Sequence, residues 1–137
     1  MGTNMEETHM DLNALRYAES HEWAQLDGEI VTVGITQHAV DQLTDVTHLQ
    51  LPKVGASVTA GKPFGEIESV KAVFDLNAPV TGTVVEVNSK LAADPSAINL
   101  DCYGPGWMLK IKLAGGATLD HLMDQARYDA QLAEEGH

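Results

Sequence analysis

Short runs of alternating hydrophobic and polar residues recur along the chain from Leu15 onward, and most of them end at proline or glycine. In the run at residues 23–34, the pair Asp27-Gly28 is typical of a turn between two short strands. Other runs that predict strands lie at residues 49–51, 64–70, 80–87 and 107–113, and around Val58. Many short strands with regular turns are typical of sandwiches and small barrels, so the pattern predicts a mainly β protein.

Two segments have helical spacing instead. Thr36 can cap a helix with one apolar face, formed by Ala39, Val40 and Leu43. A second helical stretch is predicted from Thr118 or Asp120, with a break near Asp124. Its apolar positions are Leu119, Leu122, Met123, Ala126, Tyr128 and Leu132. We therefore expect short helices and a helical C-terminal tail beside the strands.

The length and charge of the chain limit its functions. A chain of 137 residues, 44% of them hydrophobic, is large enough for one domain with its own core. Its 20 acidic and 8 basic side chains give a formal net charge of −12. That charge argues against sequence-independent binding to nucleic acid and against anionic membrane surfaces. No apolar run approaches the ~20 residues that span a bilayer. We therefore expect neither nucleic acid nor a membrane as a partner.

The single cysteine and the two termini define the remaining organisation. Cys102 has no partner for an internal disulfide or a cysteine-based zinc site, which fits a reducing compartment. His9-Met10 resembles a cloning junction, so residues 1–14 are predicted to be a tag or a flexible N-terminus. Residues 15–133 are predicted to form one domain with C-terminal helices, and residues 134–137 a frayed tail.

Lys71 lies in the tetrapeptide Ser69-Val70-Lys71-Ala72, between two strand-like runs within residues 64–87. A lysine at a hairpin tip is held away from the body of the domain, where its amine is easily reached. On spacing alone, a solvated lysine without a function is the commoner outcome.

An ordered set of motifs changes that interpretation. They are YAESHEW at residues 17–23, VGIT at 33–36, ESVKA at 68–72, PVTG at 79–82, VEVN at 85–88 and GWMLKI at 106–111. With these motifs the chain resembles the H proteins of the glycine cleavage system, which are lipoyl carriers. The resemblance extends from about Leu15 to Leu132. It implies a flattened β barrel or sandwich of two sheets, like that of lipoyl domains, with short helices and a helical C-terminal tail.

The resemblance also implies a carrier rather than an enzyme. Lys71 would hold lipoate in amide linkage, on an arm that reaches roughly 14 Å. The arm would take the aminomethyl group of glycine from the decarboxylase (P protein) to the aminomethyltransferase (T protein). Dihydrolipoyl dehydrogenase (L protein) would then reoxidise it. Lipoate attachment enzymes would be further partners of a monomer, in the cytoplasm of a bacterium or the mitochondrial matrix of a eukaryote.

Six further residues match positions with roles in the family. Ser20, Glu22 and Asp75 match residues that line the cleft for the loaded arm, and Glu68, Gly55 and Gly82 match positions read by attachment enzymes. All of them except Glu22 also have a plainer interpretation. The glycines can serve turns that need conformational freedom, Ser20 can form a turn, and Glu68 and Asp75 can be solvated strand residues.

Metal binding and nucleophilic catalysis are not predicted. His21 has no second histidine at ligand spacing, and His38 and His48 lie ten residues apart without an acidic partner pattern. We therefore predict no metal ligands and assign these histidines structural or exposed roles. Cys102 is expected to be a small, partly buried residue rather than a nucleophile. No convergent set of catalytic groups is visible.

Several residues depart from the family pattern. Thr44 stands where glycine is usual, His48 where an apolar aromatic is usual, and Gln50 where glutamate is usual. Phe74 is bulkier than the common serine, and Cys102 and Pro105 are unusual beside Tyr103. The alternative is therefore a divergent H-like lipoyl carrier that serves lipoate relay or another partner enzyme. A lipoyl domain of a 2-oxoacid dehydrogenase and a biotin carrier fit less well, because of the C-terminal helices and the absence of methionine beside Lys71.

Overall fold

Nine strands and four helices form residues 15–135, the part of the chain that the computed structural model describes. The strands are β1 (Arg16–Tyr17), β2 (Glu22–Asp27), β3 (Ile30–Ile35), β4 (Val46–Gln50), β5 (Ser57–Val58), β6 (Pro63–Ser69), β7 (Val73–Asn77), β8 (Gly82–Val87) and β9 (Leu109–Leu113). The helices are α1 (Gln37–Leu43), α2 (Ser89–Ala93), α3 (Ser96–Leu100) and α4 (Gln125–Glu135). The predictions for residues 1–14 and for residues 136 and 137 lie outside this range.

The strands form two antiparallel sheets. The larger sheet has the order β1-β2-β3-β9-β8-β5, and the smaller has the order β4-β6-β7. Within residues 15–135 no strand pairing joins the two sheets, so the described fold is a sandwich and not a closed barrel. The prediction of a mainly β protein with two sheets is confirmed in its sandwich form.

The core lies between the sheets, with a smaller cluster under the C-terminal helix. Val33 and Ile111 of the larger sheet and Ile67 and Leu76 of the smaller belong to one buried cluster. A second cluster fixes α4 against β1 and β2, and it consists of Leu15, Tyr17, Trp23 and Tyr128. The rings of Tyr17 and Tyr128 stack with centroids 4.5 Å apart. No helix within the described range is long and apolar enough to cross a bilayer.

The helix after Thr36 forms as predicted. The Thr36 hydroxyl accepts a hydrogen bond from the Ala39 amide at 3.4 Å, and this satisfies one amide that the first turn leaves unpaired. The apolar face predicted for this helix is buried. It packs in the main core with residues of both sheets.

The C-terminal prediction is half right. Residues 118–123 are not helical, because the Met123 and Tyr17 main chains bond each other in both directions at 2.8 Å. The predicted break at Asp124 is real, since its carboxylate accepts from the Arg127 amide at 2.9 Å and α4 begins at the next residue. The helix continues to Glu135, two residues into the stretch assigned to a frayed tail.

Candidate functional site

Lys71 lies at the exposed tip of the hairpin formed by β6 and β7. The last pair in the ladder is Glu68 with Val73, which leaves four residues for the connection. Within residues 15–135 the Lys71 ammonium makes no hydrogen bond or ion pair, so its amine is free to be reached from solvent.

Ser69 organises this tip, a role that its sequence position did not reveal. Its hydroxyl oxygen accepts from the Lys71 and Ala72 amides, both at 3.0 Å. Its own amide donates to the Ala72 carbonyl at 2.8 Å. A serine side chain that bonds amides two and three residues ahead is a local turn device. The backbone that carries Lys71 is therefore held in a defined loop.

A cleft of about 310 Å³ opens beside the hairpin, between the β1–β2 turn, α1 and the smaller sheet. Ile35, Ile67 and Phe74 give it apolar walls. Its polar lining includes Ser20, Glu22 and Asp75. The structure thus brings Asp75 together with Ser20 and Glu22, which lie more than fifty positions earlier in the sequence, and it sets all three against an apolar surface.

Glu22 is the buried acidic residue of this cleft, and it is 1% exposed. One carboxylate oxygen accepts a short hydrogen bond from the Ser20 hydroxyl, and the other accepts from the Asn77 amide at 2.8 Å. Burial raises the pKa of Glu22 to about 7, although both hydrogen bonds favour the charged form. Such a carboxylate is poised to gain from a cation placed beside it.

Asp75 and Phe74 occupy the outer part of the cleft on β7. Both are exposed, Phe74 by 42%. The Asp75 carboxylate makes no hydrogen bond within the described residues, so its acceptor capacity is available. Because β7 follows Lys71 directly, one hairpin supplies both the reachable amine and an acidic side chain of the cleft.

The sequence profile of the glycine cleavage H-protein family matches residues 15–135. The chain belongs to this family. It is 51% identical over 118 residues to the glycine cleavage system H protein of Myxococcus xanthus, covering 86% of this chain and 92% of that protein. It is 48% identical over 125 residues to the mitochondrial H protein of Flaveria trinervia, covering 91% and 76%.

The fold is also shared with a solved member of the family. The crystal structure of an H protein from Mycobacterium marinum superposes with a TM-score of 0.82 at 38% identity, covering 88% of this chain and 98% of that one. Family membership makes the chain a lipoyl carrier of the glycine cleavage system, with lipoate attached to a lysine, and not an enzyme. The predicted family, fold class and carrier function are confirmed.

The three positions matched to attachment enzymes differ in their surroundings. Glu68 is half-buried on β6, and its carboxylate has no hydrogen bond or ion pair in the described part of the chain. Gly55 has φ +95°, a conformation that favours glycine. At Gly82 a Cβ would collide with the Lys112 carbonyl of β9. The backbone therefore explains why Gly55 and Gly82 are glycines, whereas no contact of its carboxylate within the described residues explains Glu68.

Three of the departures from the family pattern lie along one edge of the smaller sheet. Thr44, His48 and Gln50 are all exposed, in or just before β4, which pairs with β6 of the hairpin. Cys102 is fully buried, and burial raises the pKa of its thiol to about 12. This thiol stays protonated at neutral pH, which agrees with the expectation that it is not a nucleophile.

Proposed function

We propose that Lys71 is the lysine that carries lipoate, and that the cleft beside it holds the arm when the arm carries its one-carbon cargo. The observation that carries this proposal is the shared hairpin. Lys71 has no partner among residues 15–135 at its exposed tip, and Phe74 and Asp75 on its second strand line the cleft. Attachment and docking thus use adjoining parts of one hairpin.

The other lysines lie in less suitable places. Lys110 is within β9, 3.8 Å from the Glu86 carboxylate and over the Trp107 ring. Lys112 is in the same strand, paired with Ile30 and Thr83. Lys53, Lys62 and Lys90 lie outside hairpin tips of this kind. An amide at Lys71 would remove one positive charge and take the formal net charge from −12 to −13.

The lining of the cleft fits a lipoyl arm with an amine at its end. When attached, lipoate supplies thiol–disulfide chemistry through its dithiolane. The apolar walls suit a hydrocarbon chain, and excluding water from a labile cargo would slow its hydrolysis. Asp75 and Glu22 supply acceptors for an ammonium at two depths of the cleft, and bonds to charged groups are the stronger class.

We assign different parts to the polar side chains. Glu22 is held by Ser20 and Asn77, so it offers a fixed carboxylate whose burial cost a cation would offset. Asp75 is exposed and unpaired within residues 15–135, so it meets the cargo first. An uncharged dithiolane gains nothing from either carboxylate. Docking would therefore depend on the loading state, because only a differential affinity shifts such an equilibrium.

The partners and the compartment are part of the same proposal. The P, T and L proteins of glycine cleavage would meet the hairpin tip, where Val70, Val73 and Phe74 leave an exposed apolar surface around Lys71. Lipoate attachment enzymes would read Glu68, with Gly55 and Gly82 shaping the flanking backbone. Named relatives are bacterial and mitochondrial, so the compartment would be the bacterial cytoplasm or the mitochondrial matrix.

The docking proposal is tested by the spontaneous release of formaldehyde and ammonia from the loaded protein. Glu22→Gln and Asp75→Asn remove a charge from the cleft with little change in shape. Glu66→Gln is the matched control, because Glu66 is on the same hairpin opposite Asp75 but does not line the cleft. Losing a hydrogen bond to a charge costs roughly 1.5–3 kcal/mol, so we expect release about tenfold faster in Glu22→Gln. Equal rates in all four proteins would contradict the docking role.

A further inference from the structure

Three potential metal ligands converge from distant parts of the chain. His21 is in the turn between β1 and β2, His38 is in the first turn of α1, and Glu135 is the last residue of α4. The His21 Nε2 lies 3.1 Å from the Glu135 Oε1, and the His38 Nε2 lies 3.5 Å from the same oxygen. All three ligand atoms are within 4.8 Å of one another.

These separations suit a small divalent ion. With bonds of about 2.0–2.2 Å to nitrogen and oxygen, tetrahedral zinc places neighbouring ligand atoms about 3.3 Å apart. Both histidine-to-carboxylate distances lie within a few tenths of an ångström of that spacing. Two imidazoles and one carboxylate also form a ligand set that zinc uses when a fourth position is left open. Small side-chain movements would complete the geometry.

The His38 Nε2 has only a long contact in this cluster, because it approaches the Glu135 carboxylate no closer than 3.5 Å. This nitrogen is shielded from solvent and makes no hydrogen bond within the described residues. Buried polar atoms are nearly always hydrogen-bonded, so a shielded nitrogen whose carboxylate contact is 3.5 Å long requires an explanation. A metal ion between the two rings and the carboxylate would satisfy it.

An outer hydrogen-bond chain orients the second imidazole. The His21 Nδ1 is 2.8 Å from the Tyr128 hydroxyl, which is in turn 2.6 Å from the Thr36 hydroxyl. When Nδ1 carries the proton, Nε2 faces Glu135 as a free ligand atom, and this is how metal-bound histidines are normally held.

We propose that His21, His38 and Glu135 form a binding site for one divalent transition-metal ion of the zinc class. The ion would tie the end of α4 to α1 and to the turn that leads into Glu22. The site uses no atom of the lipoyl arm, although His21 also lines the cleft beside Lys71. The metal-free alternative is a plain ion pair, in which protonated histidines bond the Glu135 carboxylate, and the experiment distinguishes the two.

The test uses the full chain expressed without lipoate, because a reduced dithiolane can itself bind zinc. Co²⁺ is titrated and followed by its visible absorption, and Zn²⁺ is then added to displace it. Glu135→Gln and His38→Ala each remove one ligand. Glu134→Gln and His48→Ala are their matched controls, since both residues are exposed and outside the cluster.

We expect one equivalent of Co²⁺ in the wild type and an affinity at least about tenfold weaker in each ligand variant, with the controls unchanged. Glu135 is exposed at a helix end, so its variant folds even if His38→Ala does not. Absence of saturable binding in the wild type would overturn the proposal. Binding that survives both ligand substitutions would also overturn it, because the metal would then be held elsewhere.

Discussion

Glu22 shows how one side chain acquires its properties from residues far away in sequence. Its carboxylate is fixed by the nearby Ser20 hydroxyl and by the Asn77 amide, fifty-five positions along the chain. Burial raises the pKa of this carboxyl from its ordinary value of 4.5 to about 7. An exposed glutamate in a strand does not lose free energy in this way. We expect a bound cation to offset the cost of burying the charged form of Glu22.

The raised pKa of Glu22 predicts a pH dependence of stability. The pKa of Glu22 is higher in the folded protein than in the unfolded chain, so protonation of Glu22 stabilises the fold. This contribution to stability is fully present below pH 4.5 and is lost as the pH rises through 7. Each unit of pKa difference between the folded and unfolded states corresponds to about 1.4 kcal/mol. The free energy of unfolding should therefore fall by about 3 kcal/mol between pH 4 and pH 8. The glutamine in Glu22→Gln cannot ionise, so the variant should not show this loss. Its free energy of unfolding relative to wild type should therefore increase by about 3 kcal/mol from pH 4 to pH 8.

Urea denaturation of the lipoate-free protein at several pH values, with a chelator present, measures this difference. Asp75→Asn serves as the control, since Asp75 is exposed in the same cleft. Its stability profile should run parallel to that of wild type. A Glu22→Gln profile that also runs parallel would mean that the folded protein does not raise the pKa of this carboxyl.

At the scale of elements, the junction between α1 and β4 explains one departure from the family pattern. Thr44 ends the helix with φ 62° and ψ −126°, a conformation that is unfavourable for a β-branched residue and easy for glycine. Asn99 holds this junction, because its side chain bonds both the Thr44 carbonyl and the Val46 amide. The family's usual glycine at this position is thus explained by the backbone.

Thr44→Gly should therefore stabilise the domain. Relief of backbone strain is worth about 1–3 kcal/mol, and the added freedom of the unfolded chain cancels roughly 0.5–1 kcal/mol of it. We expect a net gain of about 1 kcal/mol in the free energy of unfolding. Thr44→Ala is the control, because alanine retains the Cβ and should gain less. A Thr44→Gly variant that unfolds more readily than wild type would refute this account.

The β6–β7 hairpin yields a prediction about attachment. Glu68 makes no side-chain bond within residues 15–135, so Glu68→Ala should cost only a few tenths of a kcal/mol in stability. We expect it to slow lipoylation of the chain by a ligase while the melting temperature stays nearly constant. Glu66→Ala, two positions earlier on the same strand, should change neither quantity. A normal lipoylation rate in Glu68→Ala would mean that the ligase does not recognise Glu68.

Local sequence signals predicted some elements and missed others for physical reasons. The α1 helix was predictable because Thr36 caps it and its apolar face has helical spacing. Helices α2 and α3 were missed, because each has five residues and buries one apolar side chain, too few for a periodic pattern. Residues 118–123 have helical spacing, yet the Met123 backbone pairs with Tyr17, so tertiary contacts outweighed the local preference.

At the scale of the whole molecule, the sites depend on how the elements meet. The cleft draws residues from the larger sheet, the smaller sheet and α1, and only the family resemblance indicated that Ser20, Glu22 and Asp75 would share it. The cluster of His21, His38 and Glu135 was missed for the same reason. Its ligands come from three elements, and spacing along the chain reveals ligands only when one or two elements supply them.

The central claim is that Lys71 alone carries lipoate, on a hairpin tip beside the cleft. The most direct measurement is peptide mass mapping after incubation of the full chain with lipoate, ATP and a lipoate ligase. Lys71→Arg keeps the charge but removes the acceptor amine, and Lys62→Arg is the matched control. We predict lipoyl mass on the Lys71 peptide only, none in Lys71→Arg, and normal modification in Lys62→Arg. Lipoyl mass on any other lysine, or on the Lys71→Arg protein, would contradict the claim.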